Sequence, residues 1–173
     1  DLGGSIVLNL YGGTIYGAKT SANGGAINTC WDSTINIYGG TITGGKAAIG
    51  GNIYAGGTGS VNIYGGTVTA GTATTGGNIY VKNLSAEISG GTVSNGVAVN
   101  GGNIFVDGDT ATVYTLTLSG GTISGGQAVH ADYNGKNYYP IGGNISVNGN
   151  EKLIISGATV ENGVASHAGG NIG

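Results

Sequence analysis

A glycine-rich phrase that returns six times is the feature of this chain that most restricts its fold. One half of each repeat begins with Gly-Gly-Thr or a close variant, and the other half begins with Gly-Gly-Asn-Ile or a close variant. The first phrase starts at Gly12, Gly39, Gly65, Gly90, Gly120 and Gly157, and the second at Gly24, Gly50, Gly76, Gly101, Gly142 and Gly169. A period of this size is typical of stacked units that contact only their neighbours. We therefore expect one solenoid domain over residues 1–173.

Between the glycine phrases, apolar and polar residues alternate as they do in β-strands. The strand before Gly-Gly-Thr carries an inward pair of apolar residues, whose first members are Leu8, Ile35, Val61, Ala86, Leu116 and Leu153. The strand after it carries one inward residue, namely Ile15, Ile42, Val68, Val93, Ile123 or Val160. A third strand follows Gly-Gly-Asn. The sequence thus predicts an all-β fold: a right-handed parallel β-helix of six coils, about 25–37 residues each, with three short strands per coil.

The composition supports a packed β-structure and excludes several other classes. Glycine accounts for 40 of 173 residues, yet there is no Gly-x-y triplet, and Ile, Val and Thr are too abundant for a disordered chain. The net charge is −3 and Arg is absent, which argues against nucleic-acid binding because phosphates require a basic face. The sequence contains no run of 18 apolar residues, so it predicts no transmembrane helix. The single cysteine, Cys30, cannot form an internal disulfide, and we expect a free thiol there.

The two ends of the chain are in register with each other. From Leu8 the first apolar column recurs after 27, 26, 25, 30 and 37 residues, and a second copy placed after Gly173 would continue it after 28. Neither end carries the polar cap that a solenoid needs, and open strand edges pair with other chains. Two hypotheses fit: a segment of a longer array, or head-to-tail self-association into a filament. The candidate assembly residues are Asp1, Leu2, Leu8, Leu10, Ile172 and Gly173.

The segment Asn95-Gly96-Val97-Ala98 followed by Gly101-Gly102-Asn103-Ile104 resembles repeats of the polymorphic outer-membrane proteins and related bacterial surface adhesins. The hallmark of that family is Asn-x-x-Ala leading to Gly-Gly-Ala-Ile, and Gly24-Gly25-Ala26-Ile27 matches the second element literally. Asn replaces this Ala in most copies, and the family's Phe before the Asn is absent. The resemblance implies a pectin-lyase-like β-helix, extracellular or on the bacterial cell surface, that serves in adhesion or as a stalk.

The acidic residues do not predict an active site. Polysaccharide lyases and hydrolases on related folds use clustered carboxylates or a basic residue, whereas the eight acids here are scattered and Arg is missing. Only Asp107 and Asp109 pair locally. A loose Ca²⁺ site is one interpretation of this pair, and a solvated loop is the one that we favour. We expect neither enzymatic activity nor a cofactor or metal.

Surface columns and one insertion are the candidate recognition elements. Stacked aromatic residues can contact a sugar ring or stabilise one another as neighbours in a sheet, and we favour mutual stacking. These aromatic columns are Tyr11, Tyr38 and Tyr64, and Tyr54, Tyr80 and Phe105. The insertion in the fifth coil, expected either to bind a glycan or receptor or to be a tolerated loop, contains His130, Asp132, Tyr133, Asn134, Lys136, Tyr138 and Tyr139. A column of threonines from Thr14 to Thr159 raises ice binding as a further hypothesis, which the irregular neighbouring column disfavours.

Overall fold

The computed structural model describes residues 5–109, 111–129, 132–133, 136–137 and 139–173, with only the backbone of residues 132, 133, 136 and 137. All regular structure in these ranges is β-strand. Three long sheets form the walls of a solenoid, and each gains one strand per coil. The first contains β1 (Ile6–Leu10), β4 (Ser33–Ile37), β7 (Gly59–Ile63), β10 (Ser85–Ile88), β14 (Thr115–Leu118) and β20 (Lys152–Ile155). The second contains β2 (Thr14–Tyr16), β5 (Thr41–Thr43), β8 (Thr67–Thr69), β11 (Thr92–Ser94), β15 (Thr122–Ser124) and β21 (Thr159–Glu161). The third contains β3 (Ile27–Thr29), β6 (Ile53–Gly56), β9 (Ile79–Lys82), β13 (Ile104–Asp107) and β19 (Ile145–Asn148).

The register between coils confirms the parallel β-solenoid. Leu8 pairs with Ile35, which pairs with Val61, and the column continues to Leu153 in the predicted steps. All pairings between coils are parallel among the described strands. Six stacked strands in the first and second sheets correspond to five turns between β1 and β20.

The predicted inward column of the second sheet forms the centre of the core. Its residues stack in register, and its four middle members are fully buried: Ile42, Val68, Val93 and Ile123. Ile15 and Val160, at the two ends of the column, pack against the same core but remain partly exposed. The alternation of apolar and polar residues therefore assigned the buried face of this sheet correctly.

A fourth, short sheet corrects the prediction of three strands per coil. It consists of β12 (Val97–Ala98), β16 (Gln127–Ala128) and β22 (Val164–Ala165). Single parallel bridges extend the same column to Lys19, Lys46 and Thr72 in the first three coils. Two paired residues are too few to show a period of two, so the sequence marked only a small inward alanine at this place.

The Asn of the Asn-x-x-Ala phrase occupies a left-handed backbone position directly after the second sheet. Asn95 and Asn162 have φ of 54° and 55°, whereas Gly44 and Gly125 take the equivalent place with φ of 75° and 62°. Asn tolerates this conformation better than most residues with a Cβ. The phrase therefore encodes the corner between the second and fourth sheets.

The fifth-coil insertion contains a small antiparallel hairpin of its own. Its strands are β17 (Asp132–Tyr133) and β18 (Lys136–Asn137), which pair only with each other. The insertion thus leaves the stacking of the coils unchanged, since β14 still pairs with β20 across it.

We predict that Val93→Asp abolishes or strongly weakens folding. Val93 is 0% exposed at the centre of the core, and an unpaired charge buried there would lower the free energy of unfolding by several kcal/mol. Val113→Asp, at an exposed position, is the matched control and should unfold at the wild-type temperature. Thermal unfolding followed by circular dichroism measures both, and an unchanged midpoint for Val93→Asp would contradict the assigned core.

Candidate functional site

A column of asparagine side chains inside the solenoid joins each coil to the next. We call it the asparagine ladder, and its members are Asn52, Asn78, Asn103, Asn144 and Asn171. The Nδ2 of each donates to the Oδ1 of the next at 2.7–2.8 Å. The first four side chains are fully buried. The asparagines of the Gly-Gly-Asn-Ile phrase thus form a continuous chain of amide hydrogen bonds.

Each internal amide of the ladder satisfies its full hydrogen-bonding capacity. The Nδ2 of Asn78 also donates to the carbonyl of Ser94 at 2.7 Å, and its Oδ1 also accepts from the backbone N–H of Gly71 at 2.8 Å. Two donated and two accepted bonds leave this buried group no orphaned atom. Gly71 must be glycine, because a Cβ there would collide with the Gly77 carbonyl. The same pattern recurs at Asn103 and Asn144.

The first coil departs from the ladder. Ala26 occupies the position of the asparagine, and its backbone N–H donates to the carbonyl of Asn52 as in the other coils. Without an amide oxygen nearby, the N–H of Ala18, at the position equivalent to Gly45, donates instead to the carbonyl of Gly25 at 2.7 Å. The ladder therefore begins in the second coil. Sequence reasoning noted the asparagines only as departures from the family phrase and missed their role, although their recurrence in five repeats was a usable signal.

The first aromatic column is exposed, but the ring faces inside the stack are occupied. Tyr11 and Tyr38 stack with centroids 4.9 Å apart at 8°, and Tyr38 and Tyr64 stack 5.0 Å apart at 14°. All three side chains are exposed to solvent. Because each internal face lies against a neighbouring ring, mainly ring edges and hydroxyl groups face outward. Stacking against a sugar requires a free face, so this arrangement favours mutual stabilisation.

The second aromatic column is not a surface feature along its length, which corrects its prediction as a surface ladder. Tyr54, Tyr80 and Phe105 stack 5.4 and 5.5 Å apart, but Tyr80 is only 5% exposed and Phe105 only 8%. Phe105 lines a small cavity together with Asn100 and Ile141, so residues of the preceding turns flank the column. Strand alternation alone does not reveal this burial, since it places both residues on the face of the strand that points away from the core.

Tyr80 is tied to Asp107 by a short hydrogen bond. Its hydroxyl donates to Oδ2 of Asp107 at 2.5 Å, and the Nδ2 of Asn148 donates to Oδ1 of the same carboxylate at 2.9 Å. Burial, followed by the bond to Asp107, raises the pKa of Tyr80 far above its ordinary value. Burial is also the main cause that raises the pKa of Tyr54. Both phenols are therefore neutral at physiological pH.

The remaining acidic side chains of this region support loops. Oδ1 of Asp109 accepts from the N–H groups of Ala111 and Thr112 at 2.9 and 2.8 Å, and Oε2 of Glu151 accepts from the N–H of Tyr114 at 2.9 Å. Within the described ranges, no three His, Cys, Asp or Glu side chains are grouped so that they could hold a metal ion. The geometry around Asp107 and Asp109 thus favours a structural loop over a Ca²⁺ site.

The carboxyl group of Glu151 has a raised pKa. Burial is the main cause, the nearby charges of Asp109 and Asp107 add to it, and the hydrogen bond from Tyr114 opposes it. Its second oxygen, Oε1, is closed off from solvent and has no hydrogen-bond partner. The surroundings of Glu151 therefore destabilise its ionised form relative to its protonated form.

The structure describes only part of the candidate recognition loop. His130, Asn134 and Tyr138 lie outside the described residues, and Asp132, Tyr133 and Lys136 belong to the backbone of the β17–β18 hairpin. Tyr139 is exposed, and its ring centroid lies 4.6 Å from that of His167. The structure thus pairs Tyr139 with a residue of the sixth coil that the sequence had not grouped with it.

The threonine column and the chain ends have the predicted register. Thr14 pairs with Thr41, and the column continues unbroken to Thr159. In the neighbouring column, the hydroxyls of Thr69 and Ser94 lie 3.1 Å apart and Ser94 is buried, so no flat double row of exposed hydroxyls forms. At the ends, Asp1 and Leu2 lie outside the described residues, Leu8 and Leu10 pack on the core, and Ile172 bridges Ile145, next to Gly173.

In comparisons with known proteins, no family model, curated protein or solved structure matches the chain. Across the described ranges there is also no helix with the length and apolar character needed to cross a bilayer.

We predict that Asn103→Ala lowers the free energy of unfolding by about 2–5 kcal/mol, because it orphans the buried Gly96 N–H, removes one of the two bonds to the Ser124 carbonyl and removes a ladder bond on each side. Asn9→Ala is the matched control, since Asn9 belongs to an exposed ladder with Asn36. It should change stability by less than about 0.5 kcal/mol. Equal effects of the two variants in denaturant unfolding would refute the role of the buried ladder.

We also predict that Ala26→Asn stabilises the protein by about 1 kcal/mol, because the new Nδ2 can donate to Oδ1 of Asn52 and extend the ladder into the first coil. Ala22→Asn, in an exposed turn, controls for the substitution itself. The midpoints of denaturant unfolding compare the two. A loss of stability in Ala26→Asn would show that the first coil cannot accommodate the amide.

Glu151→Gln should stabilise the protein at neutral pH and have little effect at acidic pH. A carboxyl group whose folded pKa is raised contributes its stability in the protonated form, and that contribution is lost as pH rises through the folded pKa. Glutamine mimics the protonated form and can still accept from Tyr114. Melting temperatures from pH 3.5 to 8 test this, and a stabilisation that is equal at every pH would count against it.

Proposed function

We propose that this chain is a non-enzymatic, structural β-solenoid of the bacterial surface or adhesin type that acts outside the cell as a rigid spacer. The observation that carries the proposal is the asparagine ladder, which bonds five successive coils through the same atoms. The two aromatic columns add further contacts along the same axis. The side chains that recur most regularly along the solenoid thus hold neighbouring coils together.

Its adhesive or surface setting is supported by the resemblance of its repeats to those of bacterial surface adhesins. A rigid rod suits a stalk, because stability in a solenoid grows with each coil that stacks on the previous one. Glycan or ice binding through the ladders is the alternative. The occupied tyrosine faces and the partly buried second hydroxyl column make it the weaker proposal.

We further propose that copies of this chain associate head to tail. Among the described strands, β20, β21 and β22 each have a neighbour on only one side, and Val164 on the last of them is 63% exposed. Within the same residues, β1 and β2 have no strand neighbour on the opposite side of the stack. Unpaired parallel edges template further strands, and a heterologous contact between opposite ends propagates as a fibre.

The geometry of the ladder predicts that such a joint is weaker than a contact between internal coils. Asn171 would face Ala26 of the second copy, so its Nδ2 would lack the Oδ1 acceptor that Asn144 finds in Asn171. A carbonyl at the end of β2 remains available, as the carbonyl of Glu161 is for Asn144. The association should therefore be reversible and depend on concentration.

Sedimentation velocity and electron microscopy of the purified chain test this association. We expect rods that lengthen with concentration at constant width, and shorter rods for Val164→Lys, which charges the open edge. Val113→Lys adds the same charge at an exposed position away from the edge and should leave the rods unchanged. A single monomeric species at all concentrations would contradict self-association and leave the segment of a longer array as the explanation.

A further inference from the structure

A groove on the outside of the first three coils combines two lysines with hydroxyl and apolar groups. It encloses about 520 Å³ and lies beside the bridge column that continues the fourth sheet. Its lining includes the basic residues Lys19 and Lys46, the hydroxyl-bearing residues Ser21 and Thr74, and the apolar residues Ala48 and Ile49. The volume falls within the roughly 300–1,000 Å³ that is usual for small-molecule sites. We call it the lysine groove.

The two lysines form a concentrated positive charge without a carboxylate at hand. Lys19 and Lys46 are paired neighbours in adjacent coils, which places their backbones about 4.8 Å apart. Like charges in directly opposed positions of a sheet repel each other. Asp32 is the one acidic side chain in residues 5–86, and its carboxylate accepts from the hydroxyl of Ser5, before β4. An anion between the ammonium groups would remove the repulsion.

The walls of the groove are held in place by backbone hydrogen bonds across the three coils. The N–H of Thr20 donates to the carbonyl of Lys46 at 2.8 Å, and the N–H of Ala48 donates to the carbonyl of Ala22 at 2.9 Å. The N–H of Thr74 in turn donates to the carbonyl of Ala48 at 2.9 Å. A ligand therefore meets a surface whose backbone is already ordered, which lowers the entropy lost on binding.

From this arrangement we infer that the lysine groove binds an acidic sugar unit of a polysaccharide. The anionic substituent, a carboxylate or a sulfate ester, lies between the ammonium groups of Lys19 and Lys46. The apolar face of the sugar ring rests on Ala48 and Ile49, and its hydroxyls bond Ser21 and Thr74. This inference goes beyond the structural role proposed above and does not depend on it.

The same charges argue against nucleic acids and membranes as the ligand. Both present many anionic groups over a wide area, and binding them requires a broad basic surface. The chain has a net charge of −3 and only five lysines, of which two are in the groove. A local pair of ammonium groups beside apolar surface suits one anionic ring better than an extended polyanion.

Titration of the ¹⁵N-labelled protein with digalacturonate tests the inference, with neutral galactobiose and a monosulfated disaccharide as parallel ligands. We expect amide shifts at Lys46, Ala48 and Thr74 with at least one of the two acidic ligands and none with galactobiose. Comparing the acidic ligands tells a carboxylate from a sulfate site. Lys46→Gln should weaken this binding at least tenfold, whereas Lys152→Gln, which removes an exposed charge from β20, should change it less than twofold.

The stability of the unliganded variant separates binding from folding. Because Lys46→Gln relieves a like-charge contact, its unfolding midpoint should equal or exceed that of the wild type. The inference is overturned if galactobiose shifts the same amides equally, if Lys46→Gln retains full affinity, or if neither acidic ligand shifts them. Binding confined to phosphatidylglycerol vesicles, weakened alike by Lys46→Gln and Lys152→Gln, would assign the effect to general charge and also overturn it.

Discussion

Hydrogen bonds between buried asparagine amides in successive coils are the interaction on which the rest of this structure depends. The strands are only two to five residues long, so strand pairing leaves corner groups such as the Gly71 and Gly96 N–H without backbone partners. The amide oxygen of Asn78 or Asn103 accepts these bonds, and the amide nitrogen continues to the next coil. Because a slip of one residue would break both bonds, the ladder also fixes the register between coils.

Because contacts inside the solenoid hold the coils together, the residues on its outer surface can differ from coil to coil. The bridge column of the fourth sheet shows this variation, since Lys19 and Lys46 give way to Thr72, Val97, Gln127 and Val164 while the backbone pairing persists. A solenoid can therefore carry a local binding surface, such as the lysine groove, without loss of its axial contacts. The ladder asparagines and the lysines of the proposed binding surface thus lie on different segments of each coil.

The sequence alone predicted the parts of the fold that follow from its repeat period. The columns through Leu8 and Ile15 follow the predicted register along the whole chain, because alternation and glycine corners act locally and repeat. The sequence alone did not predict the burial of outward-facing residues such as Tyr80 and Phe105. It also missed elements that are too short to show a period, such as β12. The lysine groove was not predicted, since its residues are close only after three coils with turns of different length have stacked.

Hydrogen exchange of side-chain amides, followed by NMR, tests the central role of the ladder most directly. We predict that the Nδ2 protons of Asn52, Asn78, Asn103 and Asn144 exchange slowly, because each Nδ2 donates to two acceptors inside the core. The amides of Asn36 and Asn62, in the outward ladder, should exchange much faster. Equally fast exchange in both ladders would contradict the account, because it would mean that the buried amides do not hold the coils together.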